Sequence, residues 1–283
     1  MKQRWWLNAI LALVVVALGA WLYFSPTEKN TEKTDEQFKL FDLQPKQVTL
    51  ISIERPGQPE IRLEKQGDKW FVTSPFKGRA NAIRIDSLLT VLDASSSERF
   101  AADNLARFEL DKPFIKLTIN DQTLSFGTQH PLTNQVYGMI NHGVYLISPR
   151  YFSLAAAPAH EFASNSLFAD DESPIGFSFP FLSLNQQEGK WIADPSKGTT
   201  DQDKLNAWAD EWRHAMSLTT QPYGGDKAIE SFSVTLANGK TILFKLLQTE
   251  PEFVLLREDE NLQYHFSRQI GQKLINPPGF TLP

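Results

Sequence analysis

The sequence contains one pattern twice, and this internal repeat restricts the possible folds more than any other feature. A strand pattern that begins with Lys-Trp and stops at a proline covers residues 69–75, and its counterpart covers residues 190–195. A polar turn precedes each strand and an amphipathic helix pattern follows each. Trp191 follows Trp70 by about 120 positions, the length of a small domain. The sequence therefore predicts two copies of one unit.

The same offset holds beyond the tryptophan strands. Residues 114–124 and 232–242 each alternate in polarity around an asparagine in a tight turn. Other corresponding pairs are Ile85 with Leu205, Leu88 with Trp208, Leu92 with Trp212, and Tyr145 with Tyr264. We expect an α+β fold of two tandem β-rich repeats, each an antiparallel sheet with one long helix packed on a face. Pairing of the repeats through their first strands would cover the open sheet edges.

An apolar run at residues 5–24 is long enough, as a helix, to cross a hydrocarbon layer of about 30 Å. Lys2 and Arg4 precede it, so the positive-inside rule places the N-terminus in the cytoplasm and exports the body. Aromatic side chains at both ends are predicted membrane anchors: Trp5, Trp6, Trp21 and Tyr23. The alternative is a signal peptide cleaved near Ala20. The cleavage signal is poor there, which favours an uncleaved transmembrane signal-anchor helix.

The chain divides into four segments by composition. Residues 1–24 contain the transmembrane helix, and residues 25–46 are predicted to be a polar linker because their charged start has no apolar periodicity. Residues 47–160 are predicted to form the first α+β repeat and residues 161–283 the second.

Composition excludes several classes of site and partner. The chain has no cysteine, so it has no disulfide framework, thiolate metal site or thiol nucleophile. The formal net charge is −5 at pH 7. An acidic body is a poor binding surface for nucleic acid.

Histidines and carboxylates occur in patterns that resemble metal sites without matching them. The pair His160-Glu161 lacks a second histidine one helical turn later. His130 and His142 lie in predicted turns that could approach one another, where two imidazoles with a carboxylate could bind a metal or relay a proton, but isolated loop histidines are more often solvated. Residues 170–172, Asp-Asp-Glu, lack the spacing of a calcium loop and are predicted to be a solvated connector. We therefore predict no catalytic, cofactor-binding or metal-binding residues, and no cofactor.

Two acidic residues, Asp201 and Asp203, precede the second helix pattern. Side-chain capping and the helix dipole account for carboxylates at this position. We expect them to begin the helix rather than to bind a ligand.

Four tryptophans could stack on sugar rings or fill the core: Trp70, Trp191, Trp208 and Trp212. Trp208 and Trp212 take the places of leucines in the first repeat. That correspondence predicts that they are core residues.

Three phenylalanines alternate at the start of the second repeat, at Phe177, Phe179 and Phe181. Pro180 lies among them and cannot donate to a ladder, which predicts an edge strand or a bulge. If exposed, the three rings would form an apolar docking surface for a partner protein.

Several motifs occur in the order of a known bacterial family. They are the Trp70–Pro75 strand, the helix with Ile83, Leu88, Leu89 and Leu92, residues 108–113 (Phe-Glu-Leu-Asp-Lys-Pro), residues 124–127 and residues 144–147. The chain thereby resembles the domain of unknown function 4340. That family commonly has Tyr-Gly-Leu-Asp-x-Pro where this chain has residues 108–113. The resemblance implies an exported domain anchored in the bacterial inner membrane, often encoded beside ABC-type transporter components, and it supplies no catalytic residue.

Two classes of function remain open. The first is a non-enzymatic periplasmic interaction or accessory module, with a single membrane span and with envelope proteins such as ABC-type transporter components as partners. The second is an envelope hydrolase or glycan-binding protein with a site in the cleft between the repeats. The sequence shows no polar cluster that breaks the repeat, and we therefore expect a protein that is not an enzyme.

Overall fold

The computed structural model describes residues 6, 13–18, 20, 21, 37–196 and 201–280. The chain divides into two compact units, residues 1–38 and 39–283. In the first unit, residues 6, 13–18, 20 and 21 are helical, and Trp6 and Trp21 are exposed. Trp5, Tyr23 and most of the predicted membrane helix lie outside the described residues. No helix within the described ranges is both long enough and apolar enough to cross a membrane.

The second unit is a mixed α+β structure with two large antiparallel sheets and few helices. We call residues 39–157 the first half, residues 158–173 the connector and residues 174–280 the second half. Short 3-10 turns lie at Pro45–Gln47, Thr90–Asp93, Leu105–Phe108 and Ala159–Phe162.

The helices and strands up to the connector are β1 Phe38–Lys39, β2 Leu50–Glu54, β3 Ile61–Gln66, β4 Lys69–Ser74, β5 Gly78–Arg79, α1 Ala82–Leu89, β6 Ser95–Ser96, β7 Arg99–Phe100, β8 Ile115–Ile119, β9 Gln122–Gln129, β10 Val136–Ile140, β11 Gly143–Ile147 and α2 Pro149–Ala155. Those of the second half are β12 Pro174–Phe179, β13 Leu182–Gln187, β14 Lys190–Asp194, α3 Gln202–Arg213, β15 Thr219–Pro222, β16 Glu230–Leu236, β17 Thr241–Gln248, β18 Glu252–Arg257, β19 Leu262–Ser267 and α4 Arg268–Ile275.

The two large sheets have corresponding strand orders. The first is β5-β4-β3-β2-β8-β9-β10-β11-β7, and the second is β14-β13-β12-β16-β17-β18-β19-β15. If β12, β13 and β14 are matched to β2, β3 and β4, every later strand of the second sheet takes the place of its counterpart in the first. A helix follows the tryptophan strand in both halves. β1 pairs with β6 in a separate two-stranded sheet.

The tryptophan strands end in similar surroundings. The Trp70 carbonyl accepts a hydrogen bond from the Ala80 N–H at 2.8 Å, whereas the Trp191 carbonyl accepts one from the Gln202 side-chain amide at 2.9 Å. Each following helix has an N-cap side chain, Asn81 for α1 and Asp201 for α3. Capping accounts for Asp201 as the sequence predicts.

The apolar stripes of both helices are buried as predicted. Ile85, Leu88 and Leu89 of α1 are buried, and α3 buries Leu205, Trp208 and Trp212. The indole N–H groups of Trp208 and Trp212 both donate to the Leu274 carbonyl, at 3.0 and 2.7 Å. These two tryptophans are therefore core residues, and their polar atoms are satisfied.

The phenylalanine strand lies inside its sheet, which corrects the expectation of an edge strand. β12 pairs with β13 on one side and with β16 on the other. Pro180 and Phe181 form the two-residue connection between Phe179 and Leu182. A proline is tolerated there because the turn requires no ladder hydrogen bond from it.

The expected pairing of the halves through their first strands is also wrong. β2 pairs with β3 and β8, so both of its edges are occupied within the first half, and β12 is equally enclosed in the second. The halves meet instead through the edge strand β5, the connector and the segment before β15.

Candidate functional site

The connector joins the halves by backbone hydrogen bonds on both of its sides. Toward the first half, the Asn81 N–H donates to the Phe162 carbonyl and the Ser164 N–H to the Arg79 carbonyl, both at 2.8 Å. Toward the second half, the Leu167 N–H donates to Ala215 at 2.8 Å and the Ser217 N–H to Asn165 at 2.9 Å. We call the region where these three parts meet the junction.

Apolar contacts reinforce the junction. Phe76, in the loop between β4 and β5, packs against the core of the second half. A Cβ on Gly78 would lie 2.6 Å from the Leu262 side chain, so glycine permits the close approach of β5 to β19. The first half therefore inserts its edge into the second.

A buried ionic group connects Arg79 of β5 to the second half. Its guanidinium Nε donates to Glu260 Oε1 at 2.5 Å, and Nη2 donates to the Tyr264 hydroxyl at 3.0 Å and to the Ser166 carbonyl at 2.8 Å. The Tyr264 hydroxyl in turn donates to Glu260. One arginine thus bridges the first half, the connector and β19.

A second buried arginine joins the connector to β18. The side chain of Arg257 is 1% exposed and forms two parallel hydrogen bonds with Glu172, at 2.7 and 2.8 Å. It also donates to Asp259 Oδ1 at 2.9 Å and to the Leu167 carbonyl at 2.7 Å. Such a two-point contact is the strongest form of arginine–carboxylate pairing.

The network keeps Glu172, Asp259 and Arg257 charged and Tyr264 neutral. Burial opposes the charge on Glu172 and Asp259, but hydrogen bonds from Arg257 outweigh it, so the pKa of Glu172 is lowered and that of Asp259 falls to about 2. Burial and the nearby Glu260 charge raise the pKa of the Tyr264 hydroxyl. Burial opposes the charge on Arg257, but its hydrogen bonds to Glu172 and Asp259 outweigh this effect, so the pKa of Arg257 is raised. The network therefore acts as a fixed ionic connection at neutral pH.

The acidic run at residues 170–172 is not the uniformly solvated connector that the sequence predicts. Asp171 is exposed and pairs with Lys69 at 2.8 Å, but Glu172 is buried against Arg257. The sequence carries no spacing signal for this pair, because Arg257 follows a run of apolar residues in a strand that is distant in sequence.

Two open cavities flank the junction. One, of about 390 Å³, is lined by Trp70, Asn81, Ile83, Met216, Asp68 and Asp170 among others. The other, of about 300 Å³, is lined by Arg84, Ser87, His160, Glu161, Leu218 and Ile83 among others. Ile83 belongs to both, so the cavities adjoin along α1. We call the first the Trp70 cavity and the second the Leu218 cavity.

Three aliphatic side chains stand exposed around these cavities. Ile83 is 78% exposed, Met216 62% and Leu218 65%. They come from α1 and from the segment before β15, elements that are distant in sequence. Apolar side chains that converge on one concave surface are typical of a protein-binding site.

Trp70 differs from the other described tryptophans of the two halves. Trp191, Trp208 and Trp212 are buried, and each indole N–H donates to a protein acceptor. Trp70 is only partly buried, and its indole N–H has no acceptor among the described residues. Trp70 and Trp191 lie in strands at corresponding places in the two strand orders, but Trp191 is buried in the core and Trp70 lines a cavity.

The predicted histidine positions do not come together. His130 Nδ1 accepts the Thr133 N–H at 3.1 Å and organises its own turn, and His142 is exposed in the β10–β11 turn. His160 lines the Leu218 cavity, where its neighbour Glu161 pairs with Arg84. No group of three or more metal-ligating side chains occurs in the described parts of the chain.

The candidate docking phenylalanines are not an exposed surface. Phe177 and Phe179 are buried in the core of the second half, and the partly buried Phe181 packs against that core. The Phe177 ring contacts Trp208 and Trp212, and the Phe179 ring contacts Trp208. The sequence pattern was ambiguous because alternation alone does not reveal whether a face meets solvent or a helix.

Residues 70–201 match the family model of a domain of unknown function, DUF4340. The chain carries a DUF4340 domain. Over these residues the match confirms the resemblance that the motifs indicate. No curated protein and no solved structure matched the chain.

The DUF4340 match runs from the Trp70 strand to the N-cap of α3 and includes the connector. Met216, Leu218 and the ionic residues of β18 and β19 lie outside it. The cavities at the junction are therefore built from the DUF4340 segment together with a later part of the chain.

The structure also explains where this chain departs from the usual DUF4340 motif. Glu109 takes the place of the glycine and has a left-handed backbone, with φ 56°. Glycine adopts this conformation without steric cost, whereas glutamate adopts it only at a steric cost. The departure changes the side chain and leaves the turn intact.

Proposed function

We propose that this protein is a non-enzymatic interaction module of the bacterial periplasm, tethered to the inner membrane by residues 5–24. Its folded body docks another envelope protein on the junction surface formed by Ile83, Met216 and Leu218. Components of an ABC-type transporter are the candidate partners that the family resemblance suggests.

The observation that carries the proposal is the convergence of these three exposed aliphatic side chains on two adjoining cavities. Contact with a partner would remove their apolar surface from water, which is favourable in proportion to the area covered. Arg79, which lines the Trp70 cavity, is fixed by hydrogen bonds to Glu260 and to the Ser166 carbonyl of the connector. A surface held in place before binding loses less conformational freedom when it binds.

The relation between the two halves is part of the same proposal. We propose that the two halves are copies of one ancestral unit, on the basis of their corresponding strand orders and the helix after each tryptophan strand. The copies have diverged at the tryptophans: Trp191 fills the core, while Trp70 faces a cavity. Divergence at the junction is expected if one surface there acquired a binding role.

Tethering can be tested separately from docking. We expect the mass of the protein extracted from membranes to include residues 1–24, because the basic start and apolar run favour an uncleaved anchor. A mature chain that begins near Ala20 or Trp21 would contradict the anchor and leave the docking proposal unaffected.

Docking is tested by co-purification from detergent-solubilised membranes under native expression. We expect specific envelope proteins to co-purify with the wild type and to be lost from the Ile83→Asp and Leu218→Asp variants. Leu132→Asp is the matched control, because Leu132 is 90% exposed and lines neither junction cavity. Equal recovery from all variants would contradict the proposed surface.

A further inference from the structure

The Trp70 cavity carries a charge pattern that identifies a class of ligand more narrowly than exposed apolar surface does. Four charged side chains line it: Asp68, Lys69, Arg79 and Asp170. Both cations are already paired, Lys69 with Asp171 and Arg79 with Glu260. Asp68 and Asp170 have no ion-pair partner in the described parts of the chain. The cavity therefore presents two uncompensated carboxylates.

Trp70 adds a second feature that favours a cation. Its side chain is partly exposed and lines the cavity. The face of an indole ring attracts ammonium and guanidinium groups, more strongly than the other aromatic side chains do. A ring and two carboxylates together are complementary to a lysine or arginine side chain.

The aliphatic surroundings indicate that this cation belongs to a protein segment. Ile83 and Met216 line the same cavity and are largely exposed. A free cation or a sugar would leave these side chains in water, whereas a peptide with a basic residue beside aliphatic ones would cover them. The cavity volume of about 390 Å³ is that of a site for one large side chain with adjoining backbone.

One positive group nearby does not neutralise the cavity. Arg213 of α3 lines an adjoining pocket together with Asp170 and Met216. It is exposed and forms no ion pair with Asp170 within 4.0 Å. A bound cation would therefore approach from the Trp70 side, away from Arg213.

We infer that the Trp70 cavity binds a lysine or arginine side chain of the docked protein, flanked by aliphatic residues of the same segment. The inference rests on the proposed function, since it names the chemistry of the segment that the junction surface would receive. Asp68 and Asp170 supply the charge, Trp70 the aromatic face, and Ile83 and Met216 the apolar contact.

The test uses full-length protein in detergent micelles and a library of short random peptides displayed on phage. We expect the enriched peptides to contain lysine or arginine beside leucine, isoleucine or valine. The affinity of one enriched peptide is then measured by fluorescence anisotropy. The Asp68→Asn/Asp170→Asn double variant should bind it about tenfold more weakly. A peptide with citrulline in place of arginine, or glutamine in place of lysine, should lose a similar factor.

Asp103→Asn is the control, because Asp103 is exposed and does not line the cavity. It should bind like the wild type. Enrichment of peptides without basic residues, or equal affinity of the double variant, would overturn the inference. Failure to enrich any peptide would also overturn the inference. Binding of an N-acetylglucosamine oligomer that Trp70→Leu abolishes would contradict it most directly.

The outcomes separate this inference from the proposed function. Peptide binding that depends on Ile83 but not on Asp68 or Asp170 would refute the basic side chain and support docking at the junction. Unchanged co-purification from the Ile83→Asp and Leu218→Asp variants would refute docking itself.

Discussion

Arg79 Nε and Glu260 Oε1 lie 2.5 Å apart, and this contact joins the edge strand of the first sheet to the turn before the last strand of the second. Their side chains are 15% and 11% exposed. Arg79 also lines the Trp70 cavity. The contact therefore determines how the surfaces of the two halves are arranged.

Loss of Arg79 should destabilise the protein strongly. Arg79→Ala leaves Glu260 buried without its main partner, and breaking a buried pair costs roughly 3–5 kcal/mol. The free energy of unfolding, from urea titration of the full chain in detergent, checks this. Arg62→Ala is the control, since Arg62 pairs with Glu64 at 2.7 Å but is 41% exposed, and its loss should destabilise the protein far less. Similar costs for the two variants would show that the buried network adds no special stability.

Stability should fall between about pH 4 and pH 2 through the carboxylates of the Arg257 network. Burial opposes the charge on Asp259 in the folded protein. Hydrogen bonds from Arg257 and Lys240 outweigh this effect and lower the pKa of Asp259 from 3.8 to about 2. A lowered folded pKa gives stability that is present above the unfolded pKa and lost as pH falls through the folded one. After allowance for solvent screening, this amounts to about 1–2 kcal/mol for Asp259.

Urea unfolding at pH 6, 4, 3 and 2 measures this dependence. Asp259→Asn removes the titrating group and should give a shallower decline across the same range. A decline as steep as that of the wild type would mean that other carboxylates carry the acid sensitivity.

Glu109→Gly should stabilise the protein. Glu109 has φ 56° and ψ 34° and is exposed, so its side chain gains little in return for the left-handed backbone. Relief of that conformation should raise the free energy of unfolding by roughly 1–2 kcal/mol, and the greater freedom of glycine in the unfolded chain should offset about half of this gain. The thermal midpoint should therefore rise. Glu109→Ala keeps the Cβ and should not raise it; a fall for Glu109→Gly would contradict the explanation of the motif.

The repeated pattern predicted the positions and buried faces of α1 and α3 correctly because periodicity reports burial directly. It predicted one long helix in each half, whereas the described residues of each half form two helices and α1 has only eight residues. Leu88 and Trp212 lie where a 3.6-residue stripe places them. The pairing of the halves could not be read in the same way. It depends on a glycine that admits Leu262, on a connector bonded on both sides, and on buried ions such as Arg257 and Glu172. None of these has a periodic signal.

The position of the exposed apolar surface could not be predicted from the sequence for a related reason. Phe177 and Phe179 are prominent in the sequence because they alternate with other residues, but an apolar face of a strand packs in the core as often as it lies on the surface. Ile83 and Leu218 are isolated in sequence and become a group only when the halves meet. A surface assembled from distant segments cannot be found from any one of them.

Trp212→Ala should destabilise the protein by about 3–5 kcal/mol, because it removes a fully buried indole and leaves the Leu274 carbonyl without its donor. Ile192→Ala is the control, since Ile192 is half exposed, and it should cost under about 1 kcal/mol. Thermal melts of both variants provide the comparison. An unchanged thermal midpoint for Trp212→Ala would contradict a core role and favour the alternative that the tryptophans of α3 stack on sugar rings.

The docking of a partner at the junction is tested most directly by site-specific photo-crosslinking in living cells. A photoreactive amino acid is placed singly at Ile83, Met216 or Leu218, and at Leu132 and Ile229 as exposed controls outside both junction cavities. The account predicts that the three junction positions crosslink to the same envelope protein and that the controls do not. Adducts from the control positions alone, or none from the junction in cells that produce the protein natively, would contradict it.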